Sequence, residues 1–156
     1  MEKHFKFTNA VLAMPLFFVL LLWFIFWIEI RFSLDFAQNG IYPRTFSGLQ
    51  GVFLSPFIHA DIEHLYNNSI PLLVLFSALQ FFYAEHSIKI IVYGILFSGF
   101  FTWIIGRDNY HIGASGLIYV LFSFIFFKGI QTKYNRLVAL SLAVIVVYGG
   151  LVWYVF

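Results

Sequence analysis

The chain has 156 residues, 62% of them hydrophobic, 22% aromatic and only 10% charged, with a net charge of +2 and a mean hydropathy of +0.89. A soluble domain carries about a quarter charged residues, so there is too little polar surface here to cover a globule in water, and the solvent is a bilayer. The small net charge implies neither nucleic acid nor an acidic partner, and the absence of cysteine excludes disulfides, thiolate metal sites and a cysteine nucleophile while leaving the redox compartment open.

Val11 to Ile30 is an apolar run of 20 residues with Glu29 at its far end. At about 1.5 Å per residue it spans roughly 30 Å, the thickness of the hydrocarbon core. Lys3 and Lys6 precede it as in a signal peptide, but the run is too long for one, no A-x-A-like site follows, and further spans come after. It reads as the first transmembrane helix. Residues 31–60 hold Arg31, Asp35, Asn39-Gly40, Pro43, Arg44, Gly48, Gly51 and Pro56 among scattered apolar residues. That mixture predicts a long loop, partly helical, folded on or into the interface.

The second span covers about 62–83, with Asp61 as its N-cap, His64, Asn67, Asn68 and Ser69 in its polar first half and Pro71 predicted to kink it. Ala84-Glu85-His86-Ser87 is predicted as a turn edged by Lys89. The third span, 90–105, carries Gly94, Ser98 and Gly99 as small contact positions. A polar loop from Arg107 to His111 leads to Gly113-Ala114-Ser115-Gly116 and a fourth apolar stretch, 115–127. A basic loop, 128–136, and a fifth span, 137–156, complete a single membrane domain over 1–156.

With five spans, Lys3, Lys6, Lys89, Lys128, Lys133 and Arg136 share one side, against Arg31, Arg44 and Arg107 on the other. The positive-inside rule then places the N-terminus in the cytoplasm. Ser115 lies 13 helical steps before Lys128, or roughly 20 Å, which sets it about 10 Å below the outer boundary of a core about 30 Å thick. The loop before it must dip into the membrane. Irregular backbone at that depth requires burial by protein or a water-filled cavity.

Polar side chains inside a membrane default to a functional reading. Ser115, Tyr119 and Ser123 stand at i, i+4 and i+8, and His64 and Asn68 at i, i+4, so each set shares one helix face. An Asn and a His facing a serine are the donors that a developing oxyanion needs. The bland reading of Ser115, flanked by glycines, is a small helix-packing residue, and that of His64 and Asn68 is hydrogen bonding between helices. For His59 the structural reading, an interfacial histidine ordering the first loop, outweighs chemistry. His86 and His111 read as ordinary loop histidines. A metal site on His59, His64 and His111 is the runner-up chemistry, but the i, i+5 pair does not share a helix face and no helix-borne H-E-x-x-H is present.

His59-x4-His64-Leu65-x-x-Asn68 at the start of the second span, with Gly113-Ala114-Ser115-Gly116 and Tyr119 entering the fourth, resembles the rhomboid intramembrane serine proteases. The resemblance covers nearly the whole chain. It implies an all-α, polytopic, rhomboid-like helical bundle, of whose six expected transmembrane helices five are present. It also implies a serine endopeptidase without cofactor or metal that cleaves transmembrane protein substrates near the outer boundary of the bilayer. Ser115 would be the nucleophile, Asn68 and His64 with the backbone N–H of Ser115 the oxyanion hole, and Tyr119, Gly113, Gly116 and His59 its supporting residues. A family feature of the first loop, a Trp-Arg pair, is replaced here by Gln50-Gly51. The general base implied by the family is a histidine on a sixth helix, and no histidine follows Ser115 in this chain. The expectation is that this helix lies beyond residue 156; His111, four residues before Ser115, is the other base to consider.

The non-enzymatic alternative is a rhomboid-like pseudoprotease that binds transmembrane helices. A transporter is a distant third, since no paired broken segments suggest inverted repeats. The absence of a soluble domain suits a multi-pass protein of a bacterial cytoplasmic membrane. The sequence does not specify the substrate or the oligomeric state.

Overall fold

The computed structural model describes residues 8–148. Lys3 and Lys6, and residues 149–156 of the expected fifth span, lie outside the described residues.

Helix α1, Ala10–Arg31, matches the first predicted span and is about 33 Å long. Its buried residues, Val11, Pro15, Leu22 and Phe26, form one stripe against the rest of the protein. The remainder of its surface is apolar and outward-facing, as at Phe17, 71% exposed, and Leu20 and Phe24. Such a surface suits lipid and not water. Residues 31–60 are a chain of short helical turns rather than a linker: Ala37–Asn39, Ser47–Gln50, the one-turn helix α2 at Gly51–Leu54, and Ser55–Phe57.

The second and third predicted spans form one helical run, α3, Ile62–Ile105, broken at Tyr83, whose φ of −140° and ψ of 37° are not helical. Straight, 44 residues would extend about 66 Å. Yet His64 and Asn68 near one end line the same cavity as Ser98 and Thr102 near the other, so the chain reverses at Tyr83. Two membrane-length arms result, 62–82 and 84–105.

One expectation is thereby corrected. There is no irregular turn over 84–89: Ala84, Glu85, His86, Ser87 and Lys89 are helical, and Ser87 Oγ donates to the Ala84 carbonyl at 2.9 Å. Pro71 sits buried within the first arm with helical backbone on both sides. Asp61 is the N-cap, its Oδ1 accepting from the His64 N–H at 2.7 Å.

Helix α4, Ser115–Gln131, starts where predicted and runs four residues beyond the expected 127. Lys128 suits the negative end of the helix dipole and donates to Gln131 Oε1 at 2.7 Å. Lys133, with φ +54°, ends the turn, and helix α5, Asn135–Tyr148, follows. α3 packs against α1, α4 and α5, and α4 against α5. The core is a leucine-rich layer built on Leu22, Leu65, Leu72, Leu75, Leu79, Leu117, Leu121 and Ile125. Trp23 Nε1 donates to Ser69 Oγ at 3.0 Å, joining α1 to the first arm of α3. The protein is an all-α, polytopic membrane bundle.

Candidate active site

The two arms of α3, the start of α4 and the loop between them enclose a cavity of about 610 Å³. His64, Asn67 and Asn68 reach it from the first arm, Ser98 and Thr102 from the second, and Gly113, Ser115 and Tyr119 from the α4 side. Four residues separated by up to 55 positions, His64, Asn68, Ser115 and Tyr119, therefore face one space.

What brings the two sides together is Gly113. Its φ is +99°, a backbone conformation that side-chain-bearing residues rarely adopt. A Cβ there would lie 2.4 Å from His64 Nε2, so the loop backbone rests directly on the histidine ring. The Gly113 N–H donates to the Ser55 carbonyl at 2.8 Å, which fixes the glycine from its other side. Ala114, fully buried, caps α4 through its backbone, and Ser115 is the first helical residue.

That position separates Ser115 from three other helical serines. Ser69, Ser98 and Ser141 each donate to the carbonyl four residues back, a local bond that leaves them packing residues. Ser115 opens its helix, has no helical carbonyl behind it, and lines the cavity. Gly116 performs the packing instead: a Cβ there would meet Ser98 Oγ at 3.0 Å, so α4 and the second arm of α3 touch closely beside the cavity. Gly94 serves the same contact, facing Leu117 and Val120, while Gly99 packs on the Val52 backbone of α2.

Asn68 is fully buried, and its Nδ2 donates to the His64 carbonyl at 2.7 Å, leaving one amide hydrogen for the cavity. Among the described residues its Oδ1 and the Tyr119 hydroxyl have no hydrogen-bond partner. Tyr119 also lines a second, open groove of about 920 Å³ with Gly116 and Ser123, running along α4 to Lys128. The shared face of Ser115, Tyr119 and Ser123 is thus divided between two spaces.

His59 is 2% exposed and lies behind the cavity rather than in it, its ring meeting the His64 ring edge-on at 5.1 Å. Burial first, and the neighbouring His64 second, push its pKa down to about 3, so the ring is neutral at physiological pH. It is a packed support for His64. His111 lines the cavity but is tied on two sides. Its backbone exchanges hydrogen bonds with Ile41 at 2.9 and 2.8 Å, and its Nε2 lies 3.0 Å from the Arg107 carbonyl. A carbonyl only accepts, so Nε2 carries the proton and Nδ1 is left with the lone pair. The metal reading finds no support in placement, since among the described residues no three His, Asp or Glu side chains converge on one point.

Sequence reasoning missed the contributions of Ser55, Ser98 and Thr102, which no spacing rule connects to Ser115. The Gln50-Gly51 departure has a steric explanation. A Cβ at Gly51 would fall 2.2 Å from the Gly40 carbonyl carbon and the Ile41 nitrogen, so the crossing of the loop over itself leaves no room for a side chain.

The chain matches the Rhomboid domain family over residues 47–156. It is 34% identical over 119 residues, 72% of its length, to uncharacterized proteins of Mycobacterium bovis and Mycobacterium tuberculosis, and 34% identical over 109 residues to one of Mycobacterium leprae. The chain spans about half the length of these curated relatives: the matches cover 50% of the first two and 43% of the third. No solved structure matches it. Its motifs, its helical bundle and this match over more than two thirds of its residues agree: the chain belongs to the rhomboid family.

Proposed function

We propose that this chain forms, as one membrane domain over 1–156, the serine-bearing part of an intramembrane endopeptidase that cuts single-span membrane proteins near the outer boundary of the bilayer. The observation that carries the reading is the contact of Gly113 with the His64 ring, which aligns the start of α4 with His64 and Asn68 across one cavity. In this reading Ser115 Oγ attacks the scissile carbonyl. The free hydrogen of Asn68 Nδ2, an N–H of His64 and the backbone N–H of Ser115 stabilise the oxyanion, where one such donor is worth about 100- to 1000-fold in rate. Tyr119, Gly116 and His59 shape and support the site. The N-terminus is cytoplasmic, by the distribution of lysines and arginines, in a bacterial cytoplasmic membrane.

A serine hydroxyl needs a base to become a nucleophile. In this reading the base is a histidine of a sixth helix, and His111, which gives its Nε2–H to the Arg107 carbonyl and keeps an unprotonated Nδ1, is the other candidate. The second reading is a non-cleaving binder of transmembrane helices. With the full-length protein and a single-span substrate, Ser115→Ala should abolish cleavage; turnover retained by that variant rules out Ser115 as nucleophile. Labelling of Ser115 by a fluorophosphonate separates the two readings, since a pseudoprotease leaves the probe unreacted.

A further inference from the structure

The loop that delivers Ser115 is fastened by a clasp that the proposed chemistry does not use. Arg44 Nη1 donates to the carbonyls of Ile104 and Gly106, at 3.2 and 2.8 Å, and its Nη2 pairs with Asp108. The Arg44 N–H donates to the Trp103 carbonyl at 3.0 Å, and Trp103 Nε1 returns a bond to the Thr45 carbonyl at 2.8 Å. Next along the strap, the Tyr42 and Tyr110 rings meet edge-on at 5.0 Å, and Ile41 exchanges its two backbone bonds with His111.

The chemistry of the clasp is specific. α3 ends at Ile105, and the last carbonyls of a helix have no partner within it. A cation near that end also meets the negative pole of the helix dipole. A guanidinium holds two carbonyls and a carboxylate at once through its planar fork, a pre-organised geometry that a flexible ammonium lacks. Arg44 takes φ +57° to do so, a left-handed conformation that a residue with a long side chain rarely adopts unless its surroundings impose it.

We propose that Arg44 is a positioning residue: its guanidinium closes the C-terminus of α3 and holds the 106–114 loop, and thereby seats Gly113 on His64 and fixes the start of α4. The catalytic consequence rests on the serine reading above, whereas the clasp is measurable without it. The side chains of Arg44 and Asp108 are 49% and 76% exposed, so their ion pair is a minor contributor. The two carbonyl bonds carry the effect, and the roles of the two residues separate by mutation.

The test compares Arg44→Asn, Arg44→Lys and Asp108→Asn in the full-length protein, reconstituted in bilayers. Asparagine tolerates a positive φ, so Arg44→Asn removes the fork without adding backbone strain. Hydrogen exchange at the Gly106, His111 and Gly113 amides should accelerate about tenfold or more in Arg44→Asn while α1 amides are unchanged. The maximal rate of fluorophosphonate labelling at Ser115 should fall about 10- to 100-fold, with the half-saturating probe concentration and the pH profile retained. Arg44→Lys should recover part of both losses, and Asp108→Asn should stay within about twofold of wild type.

Unchanged exchange in Arg44→Asn overturns the clasp. Faster exchange with an undiminished labelling rate overturns the positioning role, as does an Asp108→Asn loss equal to that of Arg44→Asn. If wild-type protein is not labelled at all while exchange in Arg44→Asn rises locally, the serine reading fails and the clasp stands as the determinant of loop geometry.

Discussion

Gly113→Ala is the smallest change that should disable the site. The substitution adds one methyl group, whose carbon would lie 2.4 Å from His64 Nε2 and 2.6 Å from Cε1. Both distances are far inside van der Waals contact, and the obstacle is a ring held on its other side by His59. Forcing a methyl into a filled site costs about 1–3 kcal/mol. Holding a non-glycine residue at φ +99° costs a further 1–3 kcal/mol or so. The two terms act on one loop, so the variant should melt at lower temperature and also displace the His64 ring. Losing one oxyanion donor lowers a rate about 100- to 1000-fold, and fluorophosphonate labelling at Ser115 should fall by that order. The steric part is separable in a double-mutant cycle measured by thermal unfolding. His64→Ala vacates the space, so in that background Gly113→Ala should retain only the backbone penalty, giving a coupling of about 1–3 kcal/mol between the two positions. A Gly113→Ala protein that melts and is labelled like wild type, or whose stability loss is the same with and without His64, would refute the contact argument.

Two further measurements address the fold. His59 has its pKa lowered to about 3 from 6.5, so between those values the unfolded chain binds the extra proton and the folded protein does not. Stability contributed this way is complete above pH 6.5 and is lost as pH falls toward 3, with a slope of up to about 1.4 kcal/mol per pH unit. Melting temperature should therefore drop from pH 7 to pH 4.5, and His59→Gln should flatten that drop; an identical pH profile in the variant would show that His59 is not the titrating group. The glycines of the second arm should differ in cost. A Cβ at Gly99 meets the Val52 backbone at 2.8 Å, which cannot yield without moving α2, whereas one at Gly94 meets only the side chains of Leu117 and Val120, at 3.1 Å. Gly99→Ala should lose about 1–3 kcal/mol and Gly94→Ala clearly less, read as thermal or denaturant midpoints, and the reverse order would contradict the packing described.

Hydropathy located what lipid dictates. The first span was legible to within a residue at each end, because 20 apolar residues next to charges leave few alternatives. The Asp61 cap and the start of α4 were legible from local chemistry, and the face shared by His64 and Asn68 from helical period. The position of the reversal was legible too, the second span ending at 83, but its form was not. Ala84, Glu85, His86, Ser87 and Lys89 are polar enough to mark a membrane surface, but all are acceptable in a helix, so polarity alone cannot distinguish a turn from a helix end. The chain turns within one residue and resumes its helix at once. In the site, Ser115, His64 and Asn68 could be named in advance, but the contact that aligns them could not. Gly113 and His64 are 49 positions apart, Arg44 and Gly106 are 62 apart, and nothing local in either segment refers to its partner.

The first loop and the depth of the serine are two sides of one constraint. Helix α4 has 17 residues and is about 25 Å long, less than the hydrocarbon core of about 30 Å. With its Lys128–Gln131 end at one boundary the helix would fall short of the other, and the loop from Gly106 to Ala114 would have to dip to meet Ser115. Backbone that is neither helix nor sheet survives at such a depth only if its polar groups are satisfied by protein or cavity water. Here residues 41–55 supply the partners: Ile41 for both backbone groups of His111, Ser55 for the Gly113 N–H, and Arg44 for the carbonyls of Ile104 and Gly106. A helical surface could not do this, because its own backbone groups are already paired. The segment is broken into short turns, which leaves both backbone groups of Ile41 free to face another chain segment and lets the Ser55 carbonyl accept from Gly113 as well as from Ile58. Its irregularity is therefore what allows α4 to be short, with Ser115, its first residue, lining the cavity.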